Sequence, residues 1–415
     1  MRDLRFLFLD LNSFFASVAQ QEMPHLRGKP TIIVPLESDY TCAIAASYEA
    51  KAFGIKTGTM VHEAKRLCPR LEIVPAQHEL YVQYHQRILY AVEQVLPIHS
   101  VASIDEFACA LMGDEQEEAR AIALAKKIKA EIAARVGTYV RCSIGLAPNR
   151  FLAKIATDLH KPDGLTVLHT DEVFAKLKHL VPQDIPGIGY QMNKRLARHG
   201  VFTFEALWQL APKQMRAIWH SVAGEQMYYK LRGLEIPDTP THKSTVGHSH
   251  VLAPQWRPAP LAYTVAQRLC MKAGSRLRRM QYRARFVDLG VRIQDGPKLY
   301  YRAQMEAACD NHQLMHALAG LWQQMLADTG SPTIKKIAVT LHGLEDAASE
   351  QPSLFDDEAA RHARTKRETL SHAMDRLNAR FGRDTVLLGS LPKRTGFTGT
   401  KIAFSRVPQM AEFSE

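Results

Sequence analysis

The chain has 415 residues, 46% of them hydrophobic, which suffices for buried cores in about three domains, and no stretch approaches the ~18 apolar residues of a membrane helix. Its six cysteines are widely spaced and form no C-x-x-C pair, which argues against a disulfide framework or a zinc site and fits a reducing cytoplasm. The formal net charge of +11 favours a polyanionic partner such as nucleic acid.

The first 170 residues alternate short strand-like runs with helical patterns. The runs rich in β-forming residues include "LRFLFLDL", "TIIVPL", "HSVASI", "FACALM" and "TYVRCSIGLA". Between them, segments such as "SFFASVAQQ" and "HELYVQYHQRILYAVEQVL" carry apolar residues at helical spacing. The opening run is too short for a signal peptide, and Asp10 interrupts it. We predict a layered α+β domain over residues 1–170.

The rest of the chain divides by pattern into three further parts. Residues 171–235 are helical, and the Pro-rich "LEIPDTPTHKS" predicts a linker over 236–244. Residues 245–345 alternate strands with two helices, which predicts a second mixed domain. A tail over 346–415 contains one more helical pattern, "RHARTKRETLSHAMDRLNARFG".

Three carboxylates occupy the ends of predicted strands. Asp10 ends the first strand, and Asp105 and Glu106 lie in "SVASIDEFACAL", which is typical of a hairpin. Taken singly, a strand-end Asp or an acidic turn is an ordinary solvated feature. Together they suggest carboxylates that converge on neighbouring strands. Such oxygen ligands suit Mg²⁺, and two such ions can clamp a phosphoryl transfer.

Basic residues are concentrated late in the chain. Residues 241–344 contain fourteen Lys or Arg against five Asp or Glu. Within this region, "KAGSRLRRMQYRAR" includes Arg276, Arg278 and Arg279. The cluster could be a solvated helix face, but its density favours a surface that tracks phosphates.

Over roughly residues 4 to 345 the chain resembles the Y-family, or translesion, DNA polymerases. The matching motifs run in order from "DLNSFFASV" through "SYEAKAFGIKTGTM", "SIDE", "CSIGLAPNRFLAKIATDLHKPDG" and "IPGIG" to the basic last domain. The resemblance implies a multidomain α+β right-hand polymerase. Palm and fingers would occupy residues 1–170, with the fingers at about 20–77. A helical thumb would follow at 171–235 and a little-finger domain at 245–345.

The resemblance also implies roles for single residues in the active site. Metal ions, two Mg²⁺ per site, would be bound by Asp10, the carbonyl of Leu11, Asp105 and Glu106. Phe15 would be the steric gate that excludes ribonucleotides, whereas Phe14 is expected in the core. The triphosphate would be held by Tyr48, Lys51, Lys161 and the backbone amides of Ser13, Phe14 and Phe15 at a helix start.

Four positions need separate comment. Many family members carry a second Asp where this chain has Asn12, and others have Asn, so Asn12 does not imply lost activity. Lys51 stands where Arg is common, which replaces a bidentate fork by a point charge. Cys42 and Ile44 match residues that roof the nascent base pair, although simple packing explains them nearly as well.

Two further motifs concern DNA and a protein partner. "DIPGIGYQMNKRLARHGV" has the helix–hairpin–helix pattern, in which Gly187, Gly189, Lys194 and Arg195 would grip a phosphate; a plain helical hairpin is the alternative. "QPSLF" at 351–355 resembles the bacterial sliding-clamp-binding peptide, with Gln351, Leu354 and Phe355 as contacts. Short matches also arise by chance, and the apolar pair could instead pack on the chain itself.

The sequence thus predicts a template-directed DNA polymerase of low fidelity that bypasses lesions. Its expected partners are primer–template DNA, dNTPs and the sliding clamp, and we expect a monomer in the bacterial cytoplasm. The alternative is a non-catalytic relative that binds DNA and clamp as an assembly factor. Because such relatives typically lose the acids, the retention of Asp10, Asp105 and Glu106 disfavours it. A nucleotide cyclase would leave "IPGIG" and the basic domain unexplained.

Overall fold

The computed structural model describes residues 3–237, 244–349, 358–382, 385–388 and 407. The described residues form two compact units, one up to residue 237 together with Val407, and one from residue 244 to residue 388. Elements are numbered here in chain order. Residues 351–355, where the clamp-binding peptide is predicted, lie outside the described residues.

The first unit is built around a five-stranded sheet with the order β5-β6-β1-β7-β8. Its strands are β1 (Phe6–Leu11), β5 (Ile98–Val101), β6 (Glu106–Ala110), β7 (Cys142–Ala147) and β8 (Leu165–Val167). Every residue of the central strand β1 is buried, as expected for an apolar run, and the buried set includes Asp10. Both neighbours of β1 run antiparallel to it, whereas β8 is parallel to β7.

A smaller three-stranded sheet lies early in the same unit. It has the order β3-β2-β4 and consists of β2 (Thr31–Val34), β3 (Ala45–Ala46) and β4 (Glu72–Pro75). The helices of this part of the chain are α1 (Phe14–Glu22), α2 (Tyr48–Lys51), α3 (Val61–Leu67), α4 (His78–Glu93), α5 (Glu118–Arg135) and α6 (Arg150–Leu159).

The remainder of the first unit is helical, as its sequence pattern predicts. It consists of α7 (Val173–Leu177), α8 (Tyr190–Arg198), α9 (Phe204–Gln209), α10 (Pro212–Trp219) and α11 (Val222–Leu231). These helices share a core with α6 and with Phe6 and Phe8 of β1. The helical region is therefore packed directly on the sheet that carries Asp10.

The second unit is a four-stranded antiparallel sheet, order β11-β10-β12-β9, with helices on one face. Its elements are β9 (Thr245–Val251), α12 (Ala259–Arg279), β10 (Tyr282–Ile293), β11 (Lys298–Ala308), α13 (Asn311–Thr329) and β12 (Ile334–Asp346). The core lies between this sheet and the helices α12 and α13. The prediction of strands with two helices over this region is confirmed.

A further helix, α14 (Glu358–Phe381), packs on α12 and α13. Its Met374 is 4% exposed, and its Ser371 accepts a hydrogen bond from the Asn311 amide at 3.0 Å. The guanidinium of Arg278 pairs with Asp375 of this helix, with Nε–Oδ2 at 2.6 Å, and Arg283 pairs with Glu368, with Nη1–Oε1 at 2.5 Å. The helix predicted in the tail thus belongs to the second unit.

The cysteines and the lengths of the helices bear on two expectations from composition. All six cysteines are free thiols, so the prediction of no disulfide framework is confirmed. In the part of the chain that the structure describes, no helix is both long enough and apolar enough to cross a membrane.

Candidate active site

The three predicted carboxylates lie side by side at one end of the central sheet. Asp10 of β1 is the direct cross-strand partner of Glu106 of β6. The amide of Leu11 donates to the carbonyl of Asp105 at 2.9 Å, which fixes the loop between β5 and β6 against the end of β1. Chain positions about 95 residues apart are therefore joined by the ladder, as the sequence predicts.

Each of the three carboxylates has its own polar partner. Lys161 Nζ lies 2.7 Å from Asp10 Oδ1, Lys154 is bonded to Glu106, and Ser103 Oγ donates to Asp105 Oδ1 at 2.5 Å. Among the described residues, no three His, Cys, Asp or Glu side chains are grouped as a ready metal site. The acids are adjacent, but lysines and a serine hold their oxygens.

Burial sets the proton affinities of this cluster. Burial raises the pKa of Asp10 to about 6, although the Lys161 ammonium acts in the opposite direction, and the negative charge of Glu106 adds to the rise. Burial also raises the pKa of Asp105, against the hydrogen bond from Ser103. Carboxylates crowded in this way favour a bound cation, and an all-oxygen donor set suits a hard divalent ion.

Tyr48, Lys51 and Lys161 are brought together beside Asp10. Lys51 Nζ lies 4.3 Å from the centroid of the Tyr48 ring, one helical turn earlier on α2. Burial and the nearby Lys161 ammonium lower the pKa of Lys51, and burial raises the pKa of Tyr48. Lys51 is exposed and Lys161 is partly buried, and the repulsion between their ammonium groups would be relieved by a polyanion bound between them.

The start of α1 lies next to Asp10. Ser13, its N-cap, has the left-handed backbone conformation with φ 49° and makes no side-chain cap. Its Oγ is buried without a hydrogen-bond partner among the described residues. Because the first amides of a helix have no intrahelical acceptor, this corner offers donors to an anion.

The two adjacent phenylalanines of α1 lie in different environments, as the sequence predicts. Phe14 is 3% exposed and lies in the main core, whereas Phe15 is only partly buried at the edge of that core. The ring of Phe15 stacks on Tyr81 of α4. Sequence reasoning missed Tyr81, because an aromatic residue at helical spacing is most often simply part of the core.

His85 of α4 is a second residue near the site that the sequence patterns do not single out. It is 2% exposed, and its Nδ1 lies 2.7 Å from the carbonyl oxygen of Ile104. Since a carbonyl can only accept, Nδ1 carries the proton, and burial lowers the pKa of the ring. His85 thereby holds the residue before Asp105.

The helix–hairpin–helix segment keeps most of its predicted features. Gly187 has φ +87°, a conformation that favours glycine, and a Cβ at Gly189 would meet nothing within 4 Å. Lys194 is exposed, and its Nζ lies 4.8 Å from the centroid of the Tyr190 ring. Arg195 is partly buried, and its Nη1 donates to the carbonyls of Ile218 and Trp219, both at 3.2 Å, at the end of α10, so its contact with DNA stays a prediction.

The basic helix cluster needs a correction. The Arg278 side chain is only 1% exposed and donates to the Cys309 carbonyl at 2.6 Å besides pairing with Asp375. The prediction that Arg278 contacts DNA is therefore wrong. Arg276 is partly buried and Arg279 is exposed on the same helix, and for them DNA contact stays a prediction.

The face of the second unit's sheet that α12 and α13 leave uncovered carries other cations. A shallow cavity of about 380 Å³ there is floored by small residues such as Gly247, Gly290 and Ala338. Its remaining lining includes Arg292, Lys298, Lys336 and Tyr300. Alternate residues of a strand share one face, so this surface joins side chains that are far apart in sequence. We call it the open face.

Comparison with known proteins places these features in a family. Residues 9–158 match the model of the impB/mucB/samB family, and residues 243–354 match the model of its C-terminal domain. Residues 183–235 match the thumb domain of DNA polymerase iota. Together the three matches span both compact units of the structure.

Two relatives match over nearly the whole chain. DNA polymerase IV of Moorella thermoacetica is 31% identical over 398 residues, covering 92% of this chain and 95% of that protein. DNA polymerase IV of Pelotomaculum thermopropionicum is 31% identical over 389 residues, covering 92% and 94%. In fold, the chain is similar to a Y-family DNA polymerase chimera, with a TM-score of 0.68 and 24% identity over 82% of this chain and 99% of the other. The chain belongs to the Y-family of DNA polymerases, the translesion type, and is a DNA-directed DNA polymerase that uses DNA and nucleotides and depends on a divalent metal ion.

Proposed function

We propose that this enzyme adds deoxynucleotides to a primer 3′ end by phosphoryl transfer with two Mg²⁺ ions, at low fidelity, and that it serves lesion bypass. The observation that carries the proposal is the pairing of Asp10 with Glu106 across adjacent strands, with Lys161 at 2.7 Å from Asp10. The acids thus lie beside Lys161, the cation that we assign to triphosphate binding, at one end of the sheet. The alternative of a non-catalytic relative has no such observation in its favour.

The chain's own oxygen atoms would hold the metal. Asp10, Asp105, Glu106 and the carbonyl of Leu11 are the ligands that we assign, on β1 and at the turn before β6. When bound, the ions would activate the primer hydroxyl and neutralise charge on the phosphates. Lys161 and Lys154 meanwhile balance the charges of the buried Asp10 and the partly buried Glu106.

The nucleotide would lie between α1 and α2. Lys51, Lys161 and Tyr48 would bind the triphosphate, with donors from the backbone amides of Ser13, Phe14 and Phe15 at the start of α1. The Ser13 hydroxyl, which has no hydrogen-bond partner among the described residues, would be a further donor at the start of α1. Phe15 would exclude a ribose 2′-hydroxyl by contact, since its ring is partly exposed while that of Phe14 is not.

Tolerance of damaged bases would follow from the roof of the site. Cys42 and Ile44 are partly buried, and Ile44 packs against the main core. These side chains would form no directional hydrogen bonds with a base pair. An altered base would therefore lose no hydrogen bond to the protein there. Low fidelity is the other side of that tolerance.

DNA would be bound without recognition of its sequence, by one surface in each of the two units. In the first unit, Gly187, Gly189 and exposed Lys194 offer a backbone approach and a charge for one phosphate. In the second unit, the open face has basic side chains around a centre of small residues. The small residues would let a phosphate backbone approach the sheet closely. Contact with phosphates suits an enzyme that acts on any template.

Tethering to the sliding clamp through Gln351, Leu354 and Phe355 remains a proposal from sequence. Its support is the position of the peptide, which follows the last strand β12 and precedes α14. Both flanking elements belong to the second unit.

Primer extension tests the catalytic proposal directly. Asp105→Asn should lower the rate of nucleotide addition in Mg²⁺ by at least about a thousandfold, while primer–template affinity stays close to that of the wild type. The reason is that the carboxylate serves the metal, whereas the proposed DNA contacts lie elsewhere. Extension by this variant at near wild-type rate would refute the metal assignment.

A further inference from the structure

Asn12 is a buried polar residue that connects the end of β1 to the loop carrying Lys161. It is 2% exposed. Its Nδ2 donates to Ser143 Oγ at 3.0 Å, and its Oδ1 accepts from the amide of Asp163 at 2.7 Å. Both ends of the side-chain amide are therefore used, and one of them holds a residue 151 positions away.

The loop of residues 160–164 is held by further bonds to the same sheet and to α5. Ser143 Oγ also accepts from the Gly164 amide at 3.2 Å. Lys129 Nζ donates to the carbonyl of Asp163 at 2.6 Å and pairs with its carboxylate at 2.8 Å. Asn12 and Ser143 hold the loop from the buried side, and Lys129 holds it from the surface.

The geometry points to a positioning role in nucleotide binding. Lys161, two residues before Asp163, places its Nζ 2.7 Å from Asp10 Oδ1 and 2.7 Å from Asp158 Oδ1. Asn12, two residues after Asp10, thus links the end of β1 to the loop of residues 160–164. We propose that Asn12 fixes loop 160–164 so that the Lys161 ammonium stays where the triphosphate arrives. This inference rests on the proposed role of Lys161 in triphosphate binding.

The chemistry of the side chain explains why an amide serves here. Loss of the amide leaves the Asp163 N–H without its acceptor. The N–H regains a partner most easily if the loop moves outward into water. A displacement of about 1 Å at a binding group suffices to cost a large factor in rate or affinity. Aspartate would keep the acceptor for Asp163, and the Ser143 hydroxyl could turn to donate to its second oxygen.

The test is a double-mutant cycle in single-nucleotide insertion on undamaged primer–template. Asn12→Leu, which keeps the size but loses both bonds, should raise the KM for dNTP roughly tenfold or more with kcat changed less than about threefold. Asn12→Asp should stay within about threefold of the wild type in KM. In a Lys161→Ala background, Asn12→Leu should add little, because both substitutions remove the same contact.

Asn149 offers a matched control. It is fully buried and its side chain makes three hydrogen bonds, with Leu152, Lys230 and Leu234, but it lies on the side facing α11. Asn149→Ala should lower the melting temperature yet leave the KM for dNTP unchanged. If Asn12→Leu does not fold, Asn12→Ala carries the same cycle.

The outcomes separate the inference from the function on which it rests. If the effects of Asn12→Leu and Lys161→Ala multiply independently, Asn12 does not act through Lys161 and the inference fails, while the role of Lys161 stands. If Lys161→Ala leaves the KM for dNTP unchanged, the triphosphate role of Lys161 fails and the inference fails with it.

Discussion

The ring of Phe15 lies flat on the ring of Tyr81, with centroids 4.2 Å apart and planes inclined by 14°. Tyr81 is 1% exposed, so it is a fixed support, whereas Phe15 is only partly buried. Such stacking restrains the χ angles of Phe15. The proposed steric gate is therefore rigid because of a residue on another helix.

Removal of the gate ring should relax sugar selection. With Phe15→Ala, we expect the preference for dNTP over rNTP to fall by at least about tenfold, because one steric clash is worth over about 1.4 kcal/mol. Tyr81→Leu should give a smaller loss, and Tyr81→Phe, which keeps the ring, should give none. Insertion of matched dNTP and rNTP measures the ratio. An unchanged ratio in Phe15→Ala would move the gate elsewhere, with Phe14 the first residue to test.

The ion pair between Asp3 and His169 should make stability depend on pH. Burial disfavours the charged form of each group. The hydrogen bonds between them nevertheless lower the pKa of Asp3 and raise the pKa of His169, which also lies beside Glu118. The Asp3 contribution is present above its unfolded pKa of 3.8, and the His169 contribution is lost as pH rises through its folded pKa, above 6.5. The pair is thus strongest between those values.

Thermal or urea unfolding of the wild type and His169→Gln checks this window. The variant should be less stable by roughly 1 kcal/mol at pH 6, and the difference should shrink by pH 8.5. A difference that is the same at both pH values would show that His169 contributes by packing rather than by charge.

DNA binding by the open face should appear in the salt dependence of affinity. Each lost phosphate contact lowers the log–log slope by roughly 0.9 on duplex DNA, so Arg292→Ala, Lys298→Ala and Lys336→Ala combined should lower it by up to roughly 2.7. Lys366→Ala is the matched control, since Lys366 is exposed on α14, beyond the helices that cover the other face. A slope that falls equally in the control would assign the effect to net charge alone.

For Arg278 we expect a substitution to affect stability rather than DNA binding. Because its guanidinium is buried and paired with Asp375, Arg278→Ala should destabilise the second unit by roughly 3–5 kcal/mol through the uncompensated partner groups. The salt slope of the remaining folded protein should be unaltered. Unchanged stability together with weaker DNA binding would restore the original prediction for Arg278.

Clamp tethering is tested by replacing Leu354 and Phe355 with alanine. Extension of short primers without clamp should be unchanged, because no catalytic residue is touched, while stimulation by added clamp should disappear. If the pair packs on the chain itself, thermal stability and clamp-free activity will fall together instead.

The sequence predicted the acid cluster because its signals are local. The apolar run of β1 ends at Asp10, and the hairpin signal surrounds Asp105, so pairing of the two followed from strand pattern. The fate of Arg278 could not be predicted in this way, since its acid Asp375 lies 97 residues later on α14. Charge counts reveal a cationic segment but not which cations are neutralised. Tyr81 was equally hidden, because helical periodicity describes a core residue and a gate support identically.

The buried pairs of α14 limit how the second unit can be exchanged between polymerases. The match to the family's C-terminal domain ends at residue 354, before α14 begins. A transplant cut at that point would carry Arg278 and Arg283 into its new host without Asp375 and Glu368. Both guanidinium groups would then lose these carboxylate partners, so a functional graft of this module has to extend through Phe381.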